Sequence, residues 1–366
     1  MALVLLLLSC CWSIAQENSN SLLPTNKATA AEEINLIFNN TKGWIGADGN
    51  YSVKISADKA LWFFSDTWLG EVKNNKRINP ALINNSIGVQ VFKGDQSAVQ
   101  YYWGKPAEGK PAAFFIPKDN KGWFWPVAGK MQGKKLMLFL WQSEKTKTPG
   151  AFGFKTIGTT LIEIDNPEAN PLDWKLKQLS LPYSKFNDKK NIVFGSALCE
   201  DKNFDYIFGY EETPSGIYKK MLVARSPKNN LANFSAWKFY AGANWSSDLN
   251  LAKPILDGIA SEYSVHYSNG HKKFVLVYHD AFLSPNIVAR TSDNPWGPWS
   301  EKILLHTCVE NSWHKDNFCY AGKAQPNLSD DKHLLISYAS NTKTLAGVIN
   351  DARLYWPKFI KVNLTP

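Results

Sequence analysis

The sequence predicts an all-β protein, a five-bladed β-propeller, and three observations carry that prediction. Almost no stretch has helical periodicity; short apolar and aromatic runs recur instead between clusters of Gly, Pro, Asn and Asp. Five of these runs resemble one another: ALWFFSDT from residue 60, KLMLFLWQ from 135, FDYIFGYE from 204, FVLVYHDA from 274 and HLLISYAS from 333, with starts 75, 69, 70 and 59 residues apart. Several are followed by a strand, a polar turn and a Trp before another strand, as in TLIEIDNPEANPLDW, VARSPKNNLANFSAW and VARTSDNPWGPW. Self-similarity at this period argues for units around an axis, and about four strands per unit gives five blades. The last strand, around WPKFIKVNL, is expected to close the ring by pairing into the first blade.

Taken in order, the chain starts MALVLLLLSCCWSIAQENSN. An apolar run, then small residues, then a polar stretch is a secretory signal pattern, read here as residues 1–16. The run is too short to cross a bilayer as a stable helix, so no membrane span is expected. Cleavage after Gln16 would make the protein secreted or periplasmic; lipidation at Cys10 would make it an outer-membrane lipoprotein. Residues 17–33 are polar and aperiodic and are read as a leader. Residues 34–366 form the propeller domain. Lys and Arg exceed Asp and Glu by 41 − 32 = 9, but the basic residues are scattered, which argues for a solvated surface and against a nucleic-acid partner. A monomer is expected.

Export bears on the cysteines. Cys199, Cys308 and Cys319 lie beyond the signal. Cys308 and Cys319 flank CVENSWHKDNFC, and a disulfide or two separate thiols are both open. Neither C-x-x-C nor H-E-x-x-H occurs, so no metal site is expected. With 15 Trp and 14 Tyr, the chain has many flat faces with polar edges, suited to sugar stacking as well as to a core.

The stretch GADGNYSVKISADKALWFFSDTW, residues 46–68, reads as a hairpin: a strand from Tyr51 to Ile55, a turn at 56–59 and a returning strand from Ala60 to Phe64. A hairpin brings its start and finish together, so Asp48 and Asp66 become neighbours on strands about 5 Å apart. Two carboxylates facing one cleft suit glycoside hydrolysis, one donating a proton and the other attacking the anomeric carbon or activating water. Their repulsion raises one pKa and keeps that group protonated. By spacing alone, Asp48 beside Gly49 and Asp66 beside Thr67 serve equally well as turn residues.

The combination WIGADGNYSV, LWFFSDTWLG, FWPVAGKMQGKKLMLFL, FGSALCEDKNFDYIFGY, VARSP, SEYSV and NPWGPWS resembles a family of exported, largely bacterial propellers. It includes endo-D-arabinanases (glycoside hydrolase family 183, formerly domain of unknown function 4185). The resemblance runs from about Ile34 to the C-terminus. It implies a retaining hydrolase of furanosyl polysaccharide, D-arabinan first, with Asp66 as nucleophile, Asp48 as acid/base and no cofactor. L-arabinan, fructan or galactan as substrate, or a propeller that only binds carbohydrate, are the alternatives. Two positions depart from the family: Ser65 stands where Gly is usual, and Gln325 stands where His is expected before Pro. Candidates for the substrate site are that Gln325; Trp44, Trp68 and Trp125 as sugar platforms; Glu262 as a carboxylate that grips hydroxyls or tunes Asp48; and His279 on the channel wall. The sialidase box S-x-D-x-G-x-T-W is absent, which argues against a sialidase.

Overall fold

The computed structural model describes residues 28–364, apart from 94–95, 106–108, 149, 151, 188, 214–215 and 331. The signal read over 1–16, Cys10 included, and most of the leader lie outside the described residues.

The fold is all-β and propeller-like. A first four-stranded sheet runs Tyr51–Lys54, Lys59–Phe64, Ser86–Lys93 and Gln96–Tyr102. The second is Trp123–Gln132, Lys135–Lys145, Phe154–Ile164 and Leu176–Ser180. The third is built on Asn191–Glu200, Phe204–Glu212, Lys219–Pro227 and Lys238–Tyr240, with short additions at its edges. The fourth is Tyr263–Ser268, Lys273–His279, Asn286–Ser292 and Ile303–Thr307. All are antiparallel, and each second strand is the repeated apolar run, buried on both faces; Lys135–Lys145, for example, carries Leu136, Met137, Leu138, Phe139 and Leu140 with almost no exposure. Burial on both faces is why these runs are continuously apolar rather than alternating.

The fifth sheet corrects the expected closure. Asn317–Ala324, His333–Thr342 and Lys358–Asn363 are completed by Ala28–Ala30, which pairs antiparallel with Lys358–Asn363 in the register Ala28↔Val362. The C-terminal strand thus stays in its own sheet, and the N-terminal segment comes to it. The residues read as leader give way to structure at Ala28, and a helix, Glu32–Phe38, follows at once. The polar character of that stretch hid its strand because a strand at a sheet edge needs few apolar side chains; Thr29 and Ala30 are exposed.

The first strands of the five sheets touch in succession, Tyr51–Lys54 with Trp123–Gln132, that with Asn191–Glu200, then Tyr263–Ser268, then Asn317–Ala324. The fifth returns to the first through Gln325, which accepts from Ser52 Oγ at 2.6 Å and donates to the Asn50 carbonyl at 2.7 Å. A separate three-stranded sheet, Lys42–Ala47, Thr67–Lys73 and Lys76–Ile83, flanks the first.

Candidate active site

The hairpin forms as the sequence implied, with Tyr51 opposite Phe63 and Lys54 opposite Ala60. Its open end continues into the two aspartates: the Asp48 N–H donates to the Asp66 carbonyl at 3.1 Å, and the Ser65 N–H donates to the Asp48 carbonyl at 2.9 Å. Gly49 (φ +82°) makes this approach possible, since a Cβ there would sit 2.9 Å from the Ser65 nitrogen. Both carboxylates are half-buried and line one cavity of about 220 Å³.

Their environments differ. Asp66 Oδ1 accepts from Trp125 Nε1 at 2.8 Å and from Asn84 Nδ2 at 3.2 Å. Burial raises its pKa to about 6, and these two donors hold it from rising further. Asp48 is pushed well above the ordinary carboxylate range, first by burial and then by the charge of Asp66, with Glu262 adding to it; the hydrogen bond from Tyr320 and the charge of Lys323 oppose the rise. Tyr320 OH donates to Asp48 Oδ2 at 2.6 Å. Asp48 Oδ1 is buried and has no hydrogen-bond partner among the described residues. Ionisation of Asp66 thus acts against ionisation of Asp48, so the proton that the pair keeps longest is on Asp48.

Glu262 lines the same cavity. Its Oε1 lies 3.4 Å from Lys323 Nζ, a buried ammonium that also donates to the carbonyls of Gly49 and Ala321 and sits 4.3 Å from the Tyr51 ring. Burial lowers the Lys323 pKa while Glu262 and Asp48 work to raise it. Glu262 thus compensates a buried cation and adds negative potential at Asp48.

Trp125 is on the cavity wall as a hydrogen-bond donor to Asp66, its ring edge-on to Phe154 at 4.6 Å. His279 is also on the wall. Its Nδ1 accepts from the Gly322 N–H at 2.8 Å, so Nε2 carries the proton and faces Cys308 Sγ at 3.7 Å. Burial and nearby cations push its pKa down to about 3. It is a neutral structural imidazole with both nitrogens engaged.

Three of the anticipated sugar contacts are not on the wall. Trp44 is 1% exposed, donates to Ser86 Oγ and stacks on Tyr101 at 4.4 Å. Trp68 is buried behind the cavity, edge-on to Tyr355 at 6.1 Å. Gln325 is spent on ring closure with Ser52, Asn50 and Ser337. For Trp44 and Trp68 proximity in sequence to an aspartate was misleading, the Trp44 strand being irregular in register between Trp44 and Ala47; Gln325 was pointed to by the family pattern.

Sequence reasoning missed Tyr320, Tyr355, Asn341, Lys219 and Lys323, all distant in the chain from the two aspartates. Tyr355 has φ +67°, its OH accepts from Asn341 Nδ2 at 3.2 Å, and its carbonyl accepts from the Ala47 N–H at 2.7 Å. Behind it, the buried Arg77 guanidinium donates to the carbonyls of Ile45, Val348, Asp351, Ala352 and Leu354. The only signal available in the sequence was the apolar setting of these polar residues, as in FCYAGKA.

Cys199, Cys308 and Cys319 are free and buried. Cys308, Glu310 and Cys319 bring their ligand-type atoms within 4.8 Å of one another, a grouping that spacing did not announce. Tyr338 OH donates to Glu310 there.

The family model described as a domain of unknown function, DUF5005, matches residues 32–364. The chain belongs to that family. Among curated proteins, it is similar to notoamide biosynthesis cluster protein J of Aspergillus sp. (strain MF297-2), with 23% identity over 313 residues, 78% of this chain and 77% of that one. Among solved structures, it is similar to a protein of Bacteroides ovatus ATCC 8483 provisionally described as a hydrolase, with a TM-score of 0.74, 19% identity, and 92% and 90% of the two chains covered. A GH43_1 enzyme from Xanthomonas citri aligns with a TM-score of 0.49 at 12% identity, over 93% and 91% of the chains. The DUF5005 assignment and the Bacteroides structure agree in spanning nearly the whole described chain, the second of them fixing the fold.

Proposed function

We propose that this DUF5005 protein is an exported glycoside hydrolase, a five-bladed propeller whose cavity cleaves a furanosidic bond. The observation that carries the reading is the pair of aspartates joined backbone to backbone on one cavity, both raised above the ordinary carboxylate range by burial, with the charge of Asp66 acting against ionisation of Asp48. Four four-stranded sheets and a fifth, larger one built on four main strands, with first strands that touch in succession, support the blade count.

In the reaction, the Asp66 carboxylate attacks the anomeric carbon as the bond to the leaving oxygen breaks, and the Asp48 proton passes from the unpartnered Oδ1 to that oxygen. Water then enters; its proton returns to Asp48, its hydroxyl bonds to the anomeric carbon, and Asp66 is released. Glu262 and Lys323 set the potential at Asp48. The outcome is retention of configuration, which requires carboxyl groups about 5–5.5 Å apart.

The arabinanase resemblance makes D-arabinan, cut internally, the first polymer to test. The experiment is incubation of the exported protein with mycobacterial arabinogalactan, L-arabinan, fructan and galactan, with product sizing and with the anomer of the first product read by NMR. Release of sugar by the wild type and none by Asp66→Asn supports the reading. An inverted product would recast Asp66 as the base that activates water. Binding without cleavage of any glycan or synthetic furanoside would make the protein a carbohydrate-binding propeller.

A further inference from the structure

Two ladders of aromatic rings rise from the two carboxylates to the mouth of the cavity. One starts at Asp48, whose Oδ2 accepts from Tyr320, and passes through Phe318 (5.6 Å from the Tyr320 ring) and Phe152 (5.8 Å) to Phe282 (5.6 Å). The other starts at Asp66, whose Oδ1 accepts from Trp125, and ends at Phe154 (4.6 Å). The outermost rungs are open to solvent: Phe152 is 42% exposed, Phe154 38% and Phe282 49%, joined on the wall by Ile217 at 64%.

The arrangement is built by the repeat itself. Phe152, Ile217 and Phe282 lie in the loops between the second and third strands of the second, third and fourth sheets. They are evenly spaced in the chain, 217 − 152 = 65 and 282 − 217 = 65. Three successive sheets thus each deliver one large apolar side chain to the same rim. Ile217 has no flat face for a sugar to stack on, and the three rings of the outer ladder are tilted against one another at 57° and 38° rather than laid out as a platform.

Few polar side chains face the outer cavity beside the rings: Thr156 and Ser261 line it, and Ser261 is hydrogen-bonded to Tyr210. Lys219 is held by Glu212 at 2.6 Å and by the Gly216 carbonyl. His279 and Asn341 are engaged by their neighbours. A second sugar ring placed between the ladders would leave hydroxyls without partners, which is costly where water is displaced. An apolar group placed there would gain from the area it buries.

Resting on the glycosidase reading, we propose that the outer half of the cavity is a subsite for an apolar leaving group. The substrate class is then a glycoside of a hydrophobic alcohol in place of an internally cut polymer, with one sugar residue at the Asp48–Asp66 end and the aglycone between the ladders.

The test is a series of n-alkyl pentofuranosides from methyl to octyl, whose leaving alcohols differ little in acidity, so chain length reports binding and not chemistry. Each methylene buried should raise kcat/KM by up to about fourfold; from methyl to hexyl a gain of at least about tenfold is expected. Phe282→Ser and Phe152→Asn, both at exposed positions, should reduce that slope, whatever they do to the methyl compound. A flat series in the wild type, or a slope unchanged in both variants, overturns the proposal. So does a gain with added unmodified sugar residues that Phe282→Ser abolishes, which would make the rings sugar platforms. If the wild type cleaves no furanoside at all, the glycosidase reading fails separately. Calorimetric Kd values for the alkyl series then decide this site on their own: tightening with chain length in the wild type, lost in Phe282→Ser, keeps the apolar subsite, and its absence removes it.

Discussion

Asp66→Asn should abolish the proposed hydrolysis and stabilise the fold. Burial holds the folded-state pKa of Asp66 at about 6, against 3.8 for an ordinary aspartate. A raised carboxylate pKa means that the folded state binds the proton more tightly than the unfolded one. Stability from this group is therefore fully present below about pH 3.8 and lost as pH rises through 6. The shift is 6 − 3.8, about 2 pKa units, which at 1.36 kcal/mol per unit gives a destabilisation on the order of 3 kcal/mol above pH 7. The amide in Asp66→Asn keeps an oxygen to accept from Trp125 Nε1 and Asn84 Nδ2 and carries no charge to desolvate. Urea unfolding of wild type and variant at intervals from pH 3.5 to 8 reads the difference. The variant should match the wild type at the acid end and exceed it progressively between pH 4 and 7. Its turnover, by the proposed mechanism, should fall by several orders of magnitude. A variant less stable than wild type at pH 7, or an advantage that does not depend on pH, would refute the assignment of Asp66 as a charge held at the expense of stability.

Three other outcomes follow from the same geometry. Asp48→Asn should lose most activity on glycosides with poor leaving groups and much less on activated aryl glycosides, which need little protonation; equal losses on both would remove Asp48 as the acid. Tyr320→Phe removes the hydrogen bond that lowers the Asp48 pKa, so the alkaline limb of the kcat/KM profile should move to higher pH, and a shift to lower pH would contradict the donor role. Arg77→Gln strands several buried carbonyls that the guanidinium now satisfies, and denaturant unfolding should show a loss of at least about 3 kcal/mol, whereas a loss within error would mean that the carbonyls find other partners.

The sequence made the repeat and the hairpin legible because both are local. An apolar run between turn residues reports its own strand, and the chain that joins Tyr51–Lys54 to Lys59–Phe64 is a four-residue turn. Ring closure was read in the wrong direction because pairing of Ala28–Ala30 with Lys358–Asn363 spans the whole chain, and nothing within either segment names its partner. The same distance explains the residues that were missed. Tyr320 and Lys323 act on Asp48 and Glu262 from a strand whose own sequence, FCYAGKA, says only that a tyrosine and a lysine are buried. Trp44, Trp68 and Gln325 failed as sugar contacts for the complementary reason: they are near the site in sequence or in family pattern, yet their side chains face the core.

These misses fall at one place in the molecule. Apart from the backbone bonds of Asp48 to Ser65 and Asp66, the loop that carries Asp48 is held by the C-terminal sheet and the segment inside it. Lys323 Nζ donates to the Gly49 carbonyl, Gln325 Nε2 to the Asn50 carbonyl, Tyr320 OH to the Asp48 carboxylate, and the Ala47 N–H donates to the Tyr355 carbonyl. Asp66, by contrast, is held from within the first two sheets by Asn84 and Trp125. The two carboxylates are thus joined by a hairpin but supported from opposite sides of the seam where the fifth sheet meets the first. Burial raises the pKa of both carboxyls, and what opposes it differs: at Asp48, which the charges of Asp66 and Glu262 push further up, it is Tyr320 and Lys323 from the fifth sheet, while at Asp66 it is the neutral donors Trp125 and Asn84. The seam also ties the chemistry to ring closure. Without the fifth sheet in place, Asp48 would lose Tyr320 and the buried ammonium together, the two groups that oppose the rise of its pKa and hold its loop in place.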